Sequence, residues 1–223
     1  DGSSGAISVS LGHGRADMAQ TLYDQALKMA YIHRDIATAD VGERAAEHMH
    51  RCLGMDRFFP VSGGSEAVEI AGKIARLHFV KQGKFAKRHI IGRWMSYHGY
   101  TGNAIAYGGN PARRKEYNAE IYNDYKIAPP YCYRCWFGKD PATCHCECAH
   151  ALESEIQLRG HETIAAFIFE PVSGTSLGAA VAPAKYYKAI REICTRYDVL
   201  MIADEVMCGS GRTGTWNALD HFG

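Results

Sequence analysis

Two acidic side chains follow two uninterrupted apolar segments, each at the point where the segment ends. Glu170 comes directly after residues 164–169 (IAAFIF), and Asp204 directly after residues 199–203 (VLMIA). Apolar runs without polar alternation are typical of strands covered on both faces of a parallel sheet. Because ligands of open α/β sheets bind at the carboxyl edge, we expect both carboxylates to face one site. A lone acid at such a position is also commonly a helix cap or a salt-bridge partner.

A glycine pair stands at a predicted strand-to-helix junction. Gly63 and Gly64 let the backbone approach an anion closely, and Ser65 adds a hydroxyl. The first free N–H groups of the helix that follows point to the same place, so this turn could hold a phosphate. Glycine-rich turns of this kind are common, and the turn alone does not identify a phosphate site.

An aromatic side chain follows the next predicted strand, residues 89–94 (HIIGRW). Tyr97 could lie against a flat ring, with room beside it at Gly99, or it could close the top of the core. A turn that could hold a phosphate, a tyrosine that could stack on a ring and the Asp204 carboxylate together suit one ligand, pyridoxal 5′-phosphate (PLP). A carboxylate beside the pyridine nitrogen favours its protonated form, which withdraws electrons from a substrate carbanion.

The hydrophobic pattern of the rest of the chain predicts the elements that position these residues. Helices are expected over 16–30, Asp40 to Gly54, the glycine pair to about Gln82, 149–159 and 184–197, and strands over 58–61, 89–94, 164–169 and 199–203. Asp40 and Glu43 have the spacing of a capping box. The third helix is expected to bury Ala67, Ile70, Ala71, Ile74 and Leu77. Helices alternating with apolar strands predict an α/β fold with a mostly parallel sheet flanked by helices.

Four segments, in this order, resemble the class III aminotransferases, of the ω-amino acid:pyruvate type. They are SGGSEAVEIAGKIAR from Ser62, SYHGYTG from Ser96, FEPVSG from Phe169 and ADEVMCGSGRTG from Ala203. The resemblance covers nearly the whole chain and implies part of the large domain of a fold type I PLP-transferase. It assigns residues 1–55 to an N-terminal segment leading into that domain, and residues 56–223 to its first part, with a cysteine-rich insertion at 130–148.

The resemblance also implies cofactor contacts for seven residues. Gly64 and Ser65 would bind the phosphate, Tyr97 and Val206 would pack on the two faces of the ring, Asp204 would pair with the ring nitrogen, and His98 and Glu170 would position Asp204, the ring and its hydroxyl. The family's Schiff-base lysine follows a Pro-Asp pair after the last of the four segments. We therefore expect it beyond Gly223 and assign no catalytic residue within this chain.

The function implied by this resemblance belongs to the full-length protein. It is transfer of an amino group from an amine or ω-amino acid to a 2-oxo acid such as pyruvate, by a homodimer. Two alternatives remain open. Relatives on this scaffold include aminomutases, decarboxylases and phospho-lyases, and a chain that ended at Gly223 would be a catalytically incomplete PLP-binding fragment.

A dinucleotide site is a rival interpretation of the last segment. Residues Gly209-Ser-Gly211-Arg-Thr-Gly214 match the G-x-G-x-x-G fingerprint and follow a predicted strand. We reject this interpretation because Asp204 and Glu205 would repel a pyrophosphate. The residues that follow, TWNALDHFG, also do not predict a long apolar helix.

Five of the eight cysteines are clustered. They are Cys132, Cys135, Cys144, Cys146 and Cys148. Two close groups bracketing a loop suit a tetrahedral zinc site, but packed thiols in a subfamily insertion, or a disulfide, remain open alternatives. The cluster is distant in sequence from the cofactor segments, so we assign it no catalytic metal.

Charge and hydropathy exclude some classes of function. The chain has 25 basic and 24 acidic side chains, with no basic block, so we expect no nucleic-acid partner. The longest apolar runs, of about eight residues, are too short to span a bilayer. Without secretory features, the cysteines favour a reducing, cytoplasmic location.

Overall fold

The computed structural model describes residues 2–33, 35–120 and 125–223. The chain divides into two compact units, Asp1–Phe59 and Pro60–Gly223. Within the described ranges, no helix has both the length and the apolar character needed to cross a membrane.

The first unit consists of helices. They are one turn, α1 (Ser4–Ile7), followed by α2 (Ala16–Lys28) and α3 (Asp40–Leu53). Helix α3 ends as predicted at Gly54, whose φ of 65° is the left-handed conformation that favours glycine. The predicted capping box is wrong. The N-cap residue is Ala39, Asp40 instead pairs with Lys28, and Glu43 accepts a hydrogen bond from the Thr38 hydroxyl.

The second unit is built on a four-stranded parallel sheet. Its strands are β1 (His89–Arg93), β2 (Lys126–Ile127), β3 (Ile164–Phe169) and β4 (Leu200–Ala203), in the spatial order β2-β1-β3-β4. Ile91 pairs with Phe167, and Phe169 pairs with Ala203, so the carboxyl ends of β1, β3 and β4 meet at one edge. Strand β2 was not predicted because two residues carry no detectable period.

Helices cover both faces of this sheet. They are α4 (Gly64–Lys81), α5 (Gly102–Tyr107), α6 (Pro111–Arg114), α7 (Glu147–Arg159) and α8 (Ala184–Arg196), with short 3-10 turns at Lys115–Glu120, Cys132–Arg134, His161–Thr163 and Ala218–His221. Phe167 and Phe169 pack in the core formed by α7 and α8. Ala166 and Ile168, alternating with them, pack in the core formed by α4 and α5. This two-sided burial confirms the α/β prediction.

Two sequence predictions about the start of this unit are wrong. Residues 58–61 do not form a strand, because no neighbouring strand pairs with them in the described structure. Helix α4 buries a different face from the one predicted: Val68, Gly72, Ala75 and Phe79 are buried. Ile74 and Leu77 are 54% and 53% exposed. The helix is apolar on both sides, so periodicity alone could not identify the side facing the sheet.

A buried lysine ties together the amino-terminal ends of β3 and β4. The Nζ of Lys87 donates hydrogen bonds to the carbonyls of His161, Ile164, Tyr197 and Asp198, at 2.7–3.1 Å. It also lies 4.8 Å from the centre of the Phe79 ring. Burial lowers the pKa of Lys87, and these acceptors replace the water that an ammonium would otherwise bind.

Replacing Lys87 with methionine should therefore destabilise the fold. Hydrogen bonds to a charged group are each worth about 1.5–3 kcal/mol, and carbonyls left without a donor add to the loss. We therefore expect the free energy of unfolding to fall by about 2–4 kcal/mol. Urea unfolding of the full-length protein measures this change. The matched control is Lys84→Met: Lys84 is 46% exposed and pairs with the exposed Asp198, a contact worth about 0–1 kcal/mol. Equal losses in both variants would contradict this account.

Candidate cofactor site

The seven residues predicted to contact a cofactor line one cavity of about 230 Å³. They are Gly64, Ser65, Tyr97, His98, Glu170, Asp204 and Val206. The cavity lies where the carboxyl ends of β1, β3 and β4 meet the first turn of α4. The hydrogen bonding between β3 and β4 continues for one residue after the end of β4, because the Asp204 N–H donates to the Phe169 carbonyl at 2.8 Å. Glu170 and Asp204 are therefore held side by side at the sheet edge, as the strand ends predicted.

Asp204 forms a buried pair with His98. The His98 Nδ1 lies 2.7 Å from Asp204 Oδ2, and both side chains are almost completely buried. The other carboxylate oxygen, Oδ1, accepts a hydrogen bond from the Val206 N–H at 3.1 Å. The opposite ring atom of the histidine, Nε2, is buried and has no hydrogen-bond partner among the described residues. A buried polar atom of this kind calls for a partner that a bound group would supply.

Glu170 connects three segments beneath the cavity. Its Oε1 accepts a hydrogen bond from the Tyr97 N–H at 3.1 Å, and its Oε2 accepts one from the Gly174 N–H at 2.8 Å. Its backbone carbonyl accepts a hydrogen bond from Arg93 at 2.7 Å. Glu170 thus fastens the loop that contains Tyr97 onto the end of β3. Both Glu170 carboxylate oxygens already accept hydrogen bonds from the protein.

The first turn of α4 faces the cavity with little side-chain bulk. The turn begins after Gly63, its extended N-cap, and its leading N–H groups have no partner within the helix. A Cβ on Gly64 would lie 3.0 Å from Val206, so glycine permits the close approach of these two residues. The Ser65 hydroxyl accepts a hydrogen bond from the Tyr100 N–H at 3.3 Å and keeps its own proton to donate. This geometry suits an anion.

Gly99 holds the loop after β1 against this turn. Its φ is +127°, a conformation that L side chains rarely adopt. A Cβ here would lie 2.4 Å from the Ser65 Oγ and 3.0 Å from the Ser65 Cα. Only glycine allows the loop to pass this close to Ser65.

Tyr97 and Val206 provide the flat and apolar surfaces of the cavity. Tyr97 is partly buried, and its ring is covered by the guanidinium of Arg113, whose Cζ lies 4.6 Å from the ring centre. Val206 is 61% exposed, although it borders the cavity. An apolar side chain left this exposed beside a cavity has room for a flat ring against it.

Sequence reasoning missed two supports of the site, Glu69 and Arg113. Glu69 accepts hydrogen bonds from the Thr101 hydroxyl, both Asn103 nitrogens and the Ala104 N–H, and so anchors the start of α5 to α4. Burial opposes its ionisation, but these donors hold the pKa of Glu69 below its ordinary value. Glu69, the last residue of SGGSEAVE (residues 62–69), carries no sequence signal for this role, and neither does an arginine in an irregular loop.

The dinucleotide interpretation finds no support in the segment after β4. Residues 205–217 form turns and bends that lead into the 3-10 turn Ala218–His221. The Glu205 carboxylate accepts hydrogen bonds from the N–H groups of Ala218 and Leu219, at 2.7 and 3.2 Å. A pyrophosphate would need the N-terminus of a long helix here, and this carboxylate occupies the start of the short turn instead.

The parallel α/β unit fits part of the large domain of a fold type I PLP-transferase, and comparisons with known proteins identify its family. The family model "Aminotransferase class-III" matches residues 1–223. The chain is 35% identical over its whole length to the aminotransferase YodT of Bacillus subtilis, covering 50% of that protein. It is 33% identical, again over its whole length, to the putrescine–pyruvate aminotransferase of Pseudomonas aeruginosa, covering 49%. The chain belongs to the class III aminotransferases.

A solved structure gives the same answer for the fold. An amine transaminase from an uncultivated Pseudomonas species, in its PLP-bound form, matches with a TM-score of 0.92 at 32% identity, over 100% of this chain and 51% of the other. The cofactor of this family is PLP. The chain spans about half the length of the curated relatives it matches.

The residues present fit this cofactor. Its anionic phosphate matches the uncrowded first turn of α4, its basic ring nitrogen matches a buried carboxylate, and the unpartnered Nε2 of His98 can bond a polar ring substituent. The five clustered cysteines line a different cavity and are not part of this site.

Proposed function

We propose that the full-length protein is a PLP-dependent aminotransferase that moves an amino group from an amine or ω-amino acid to a 2-oxo acid such as pyruvate. The observation that carries this proposal is the buried Asp204–His98 pair facing the first turn of α4 across one cavity. Asp204 is held by His98 and by the Val206 N–H, and its negative charge at the cavity wall suits a protonated pyridine nitrogen.

In this proposal each residue of the cavity has a defined task. Gly64 and Ser65 bind the phosphate through backbone N–H groups and a hydroxyl, and Tyr97 and Val206 sandwich the ring. Asp204 keeps the ring nitrogen protonated, and His98 fixes the carboxylate through its 2.7 Å contact. Glu170 holds Tyr97 in place through the Tyr97 N–H. When bound, PLP withdraws electrons from the substrate carbon that loses or gains a proton.

Relatives support the choice of substrate class. The Pseudomonas aeruginosa relative is a putrescine–pyruvate aminotransferase, whose name describes an amine donor and a 2-oxo acid acceptor. A second cavity of about 570 Å³ adjoins the first and shares Tyr97, Gly99 and Tyr100 with it. We propose that the amine enters from this side, where the walls include both Arg113 and Glu116.

Other features of the full-length protein are proposed from the family alone. We place the Schiff-base lysine beyond Gly223, and we assign residues 1–55 to an N-terminal segment leading into the large domain and residues 56–223 to the first part of that domain. We further propose a homodimer in the cytoplasm.

An assay of the full-length protein tests the proposed reaction. With PLP, pyruvate and a panel of diamines and ω-amino acids, we expect alanine to form in step with loss of one donor amine. Release of carbon dioxide, or an isomerised amino acid with no alanine, would instead indicate decarboxylase or aminomutase chemistry, and release of phosphate from an added phosphorylated amine would indicate phospho-lyase chemistry. A full-length protein that binds PLP yet converts none of these substrates would contradict the proposal.

A further inference from the structure

The cysteine-rich loop between β2 and α7 surrounds a small enclosed space. Five thiols line one cavity of about 20 Å³: Cys132, Cys135, Cys144, Cys146 and Cys148. All five are free thiols. A single water needs about 10–15 Å³ of such space, so this cavity can take one atom-sized guest and no organic ligand.

The chemistry of the cavity wall favours a soft metal ion over water. The remaining wall is largely apolar, with Pro129, Tyr131, Phe137 and Pro183. A water held here would need two to four good hydrogen-bond partners, whereas thiols are weak ones. Thiolate sulfur is the preferred ligand of structural zinc.

The spacing of the thiols suits tetrahedral coordination. Cys132 and Cys135 form a C-x-x-C pair on a 3-10 turn, the ligand spacing of many structural zinc sites. The Sγ atoms of Cys146 and Cys148 lie 4.0 Å apart. Two sulfurs bound to one zinc at about 2.3 Å are separated by about 3.8 Å in a tetrahedron.

Positive charge lies beside this cluster. The Lys185 Nζ donates hydrogen bonds to the carbonyls of Pro141 and Cys144, at 3.0 and 2.9 Å, which holds its ammonium at the edge of the loop. Lys139 also borders the cavity, but it lies 3.9 Å from the Glu147 carboxylate, which borders the cavity too and offsets its charge. Cys146 is the N-cap residue of the 13-residue helix α7, where negative charge is stabilised. Four thiolates and one Zn²⁺ carry a net charge of −2, which these groups would partly offset.

The loop has little regular secondary structure to hold its shape. Between β2 and α7 this is the single 3-10 turn Cys132–Arg134, within the described part of the chain. Turn hydrogen bonds and the Lys185 contacts hold parts of the loop. A metal bound by thiols from both of its ends would tie those ends together.

We propose that this loop binds one structural zinc ion. Cys132 and Cys135 supply one pair of ligands, and two thiols of the run Cys144, Cys146 and Cys148 supply the other. Binding releases four thiol protons to solvent. As they stand, no group of three described His, Cys, Asp or Glu side chains is arranged to hold a metal ion, so binding draws the thiols inward into the cavity they line. The site shares no lining residue with the cofactor cavity, and four thiolate ligands leave no open position on the metal, so we assign it a structural role.

Metal analysis of the full-length protein tests this proposal. Protein expressed with zinc in the medium and purified without chelator should contain about one zinc per chain by mass spectrometry. The double variant Cys132→Ser/Cys135→Ser should contain at least about tenfold less zinc. The matched control is Cys52→Ser, because Cys52 lies in α3 of the first unit and should leave the zinc content unchanged.

A second measurement on the unaltered protein guards against a variant that fails to fold. Cobalt taken up in place of zinc should give the intense thiolate charge-transfer absorption of a tetrahedral sulfur site, and zinc should displace it. Wild-type protein that contains little zinc, takes up no cobalt and reacts through all five thiols with a thiol reagent would overturn the proposal. Iron at stoichiometric level in place of zinc would overturn it as well. Neither result would bear on the aminotransferase reaction.

Discussion

Asp204→Asn is expected to lower the transamination kcat of the full-length protein by about 100-fold or more, the scale seen when one preorganised electrostatic group is removed from an active site. Asparagine keeps the size of the side chain and an oxygen that can accept the Val206 N–H. It removes the negative charge, so the ring nitrogen of PLP loses the group that favours its protonation. Steady-state kinetics with saturating PLP measure the change, and circular dichroism checks that the fold is retained.

The matched control for this variant is Asp198→Asn. Asp198 precedes the same strand at its other end, pairs with Lys84 on the surface, and has a φ of 53° that asparagine tolerates. Its kcat should stay within about twofold of wild type, since exposed ion pairs contribute about 0–1 kcal/mol. If Asp204→Asn turned over as fast as Asp198→Asn, the assignment of Asp204 to the ring nitrogen would be wrong.

Gly99→Ala is expected to weaken both the fold and the binding of PLP. The added methyl would meet the Ser65 Oγ at 2.4 Å and the Ala104 Cβ at 2.9 Å, on a backbone with φ of +127°. Backbone strain of about 1–3 kcal/mol and overpacking of about 1–3 kcal/mol together predict a loss of about 2–6 kcal/mol in the free energy of unfolding. Because Ser65 must move, the apparent Kd for PLP should rise in the variant that remains folded.

Gly102→Ala provides the comparison for Gly99→Ala. Gly102 begins α5, and a Cβ there would meet no atom within 4 Å. Alanine at a helical position should leave stability unchanged or raise it by up to about 1 kcal/mol. Thermal unfolding and PLP titration of both variants separate the cases, and a Gly99→Ala protein as stable and as tightly cofactor-bound as Gly102→Ala would refute the close contact with Ser65.

Much of the fold was predictable because the strands that form the sheet centre are buried on both faces. Residues 164–169 are apolar at every position, and the structure places β3 over those same residues. The grouping of Glu170 and Asp204 then followed from the geometry of parallel strands, since their carboxyl ends share an edge. Gly64, Ser65 and Tyr97 were predicted from a glycine turn and a strand end, whereas His98 and Val206 were predicted only because their segments resemble a known family.

The features that sequence reasoning missed depend on contacts that no local pattern records. Lys87 is one of many lysines, and its role arises only where four carbonyls from distant segments converge. The buried face of α4 was misassigned because Ile74 and Val68 are equally apolar, and packing against β3 decides between them. Residues 58–61 have the composition of a strand, but a strand also needs a partner.

The most direct test of the central claim is a crystal structure of the full-length protein with PLP bound. We expect the pyridine nitrogen to lie within hydrogen-bond distance of an Asp204 carboxylate oxygen. The phosphate should bind the N–H groups of Gly64 and Ser65, and the ring should lie between Tyr97 and Val206. A cofactor bound elsewhere, or one in this cavity with its phosphate directed toward Asp204, would contradict it.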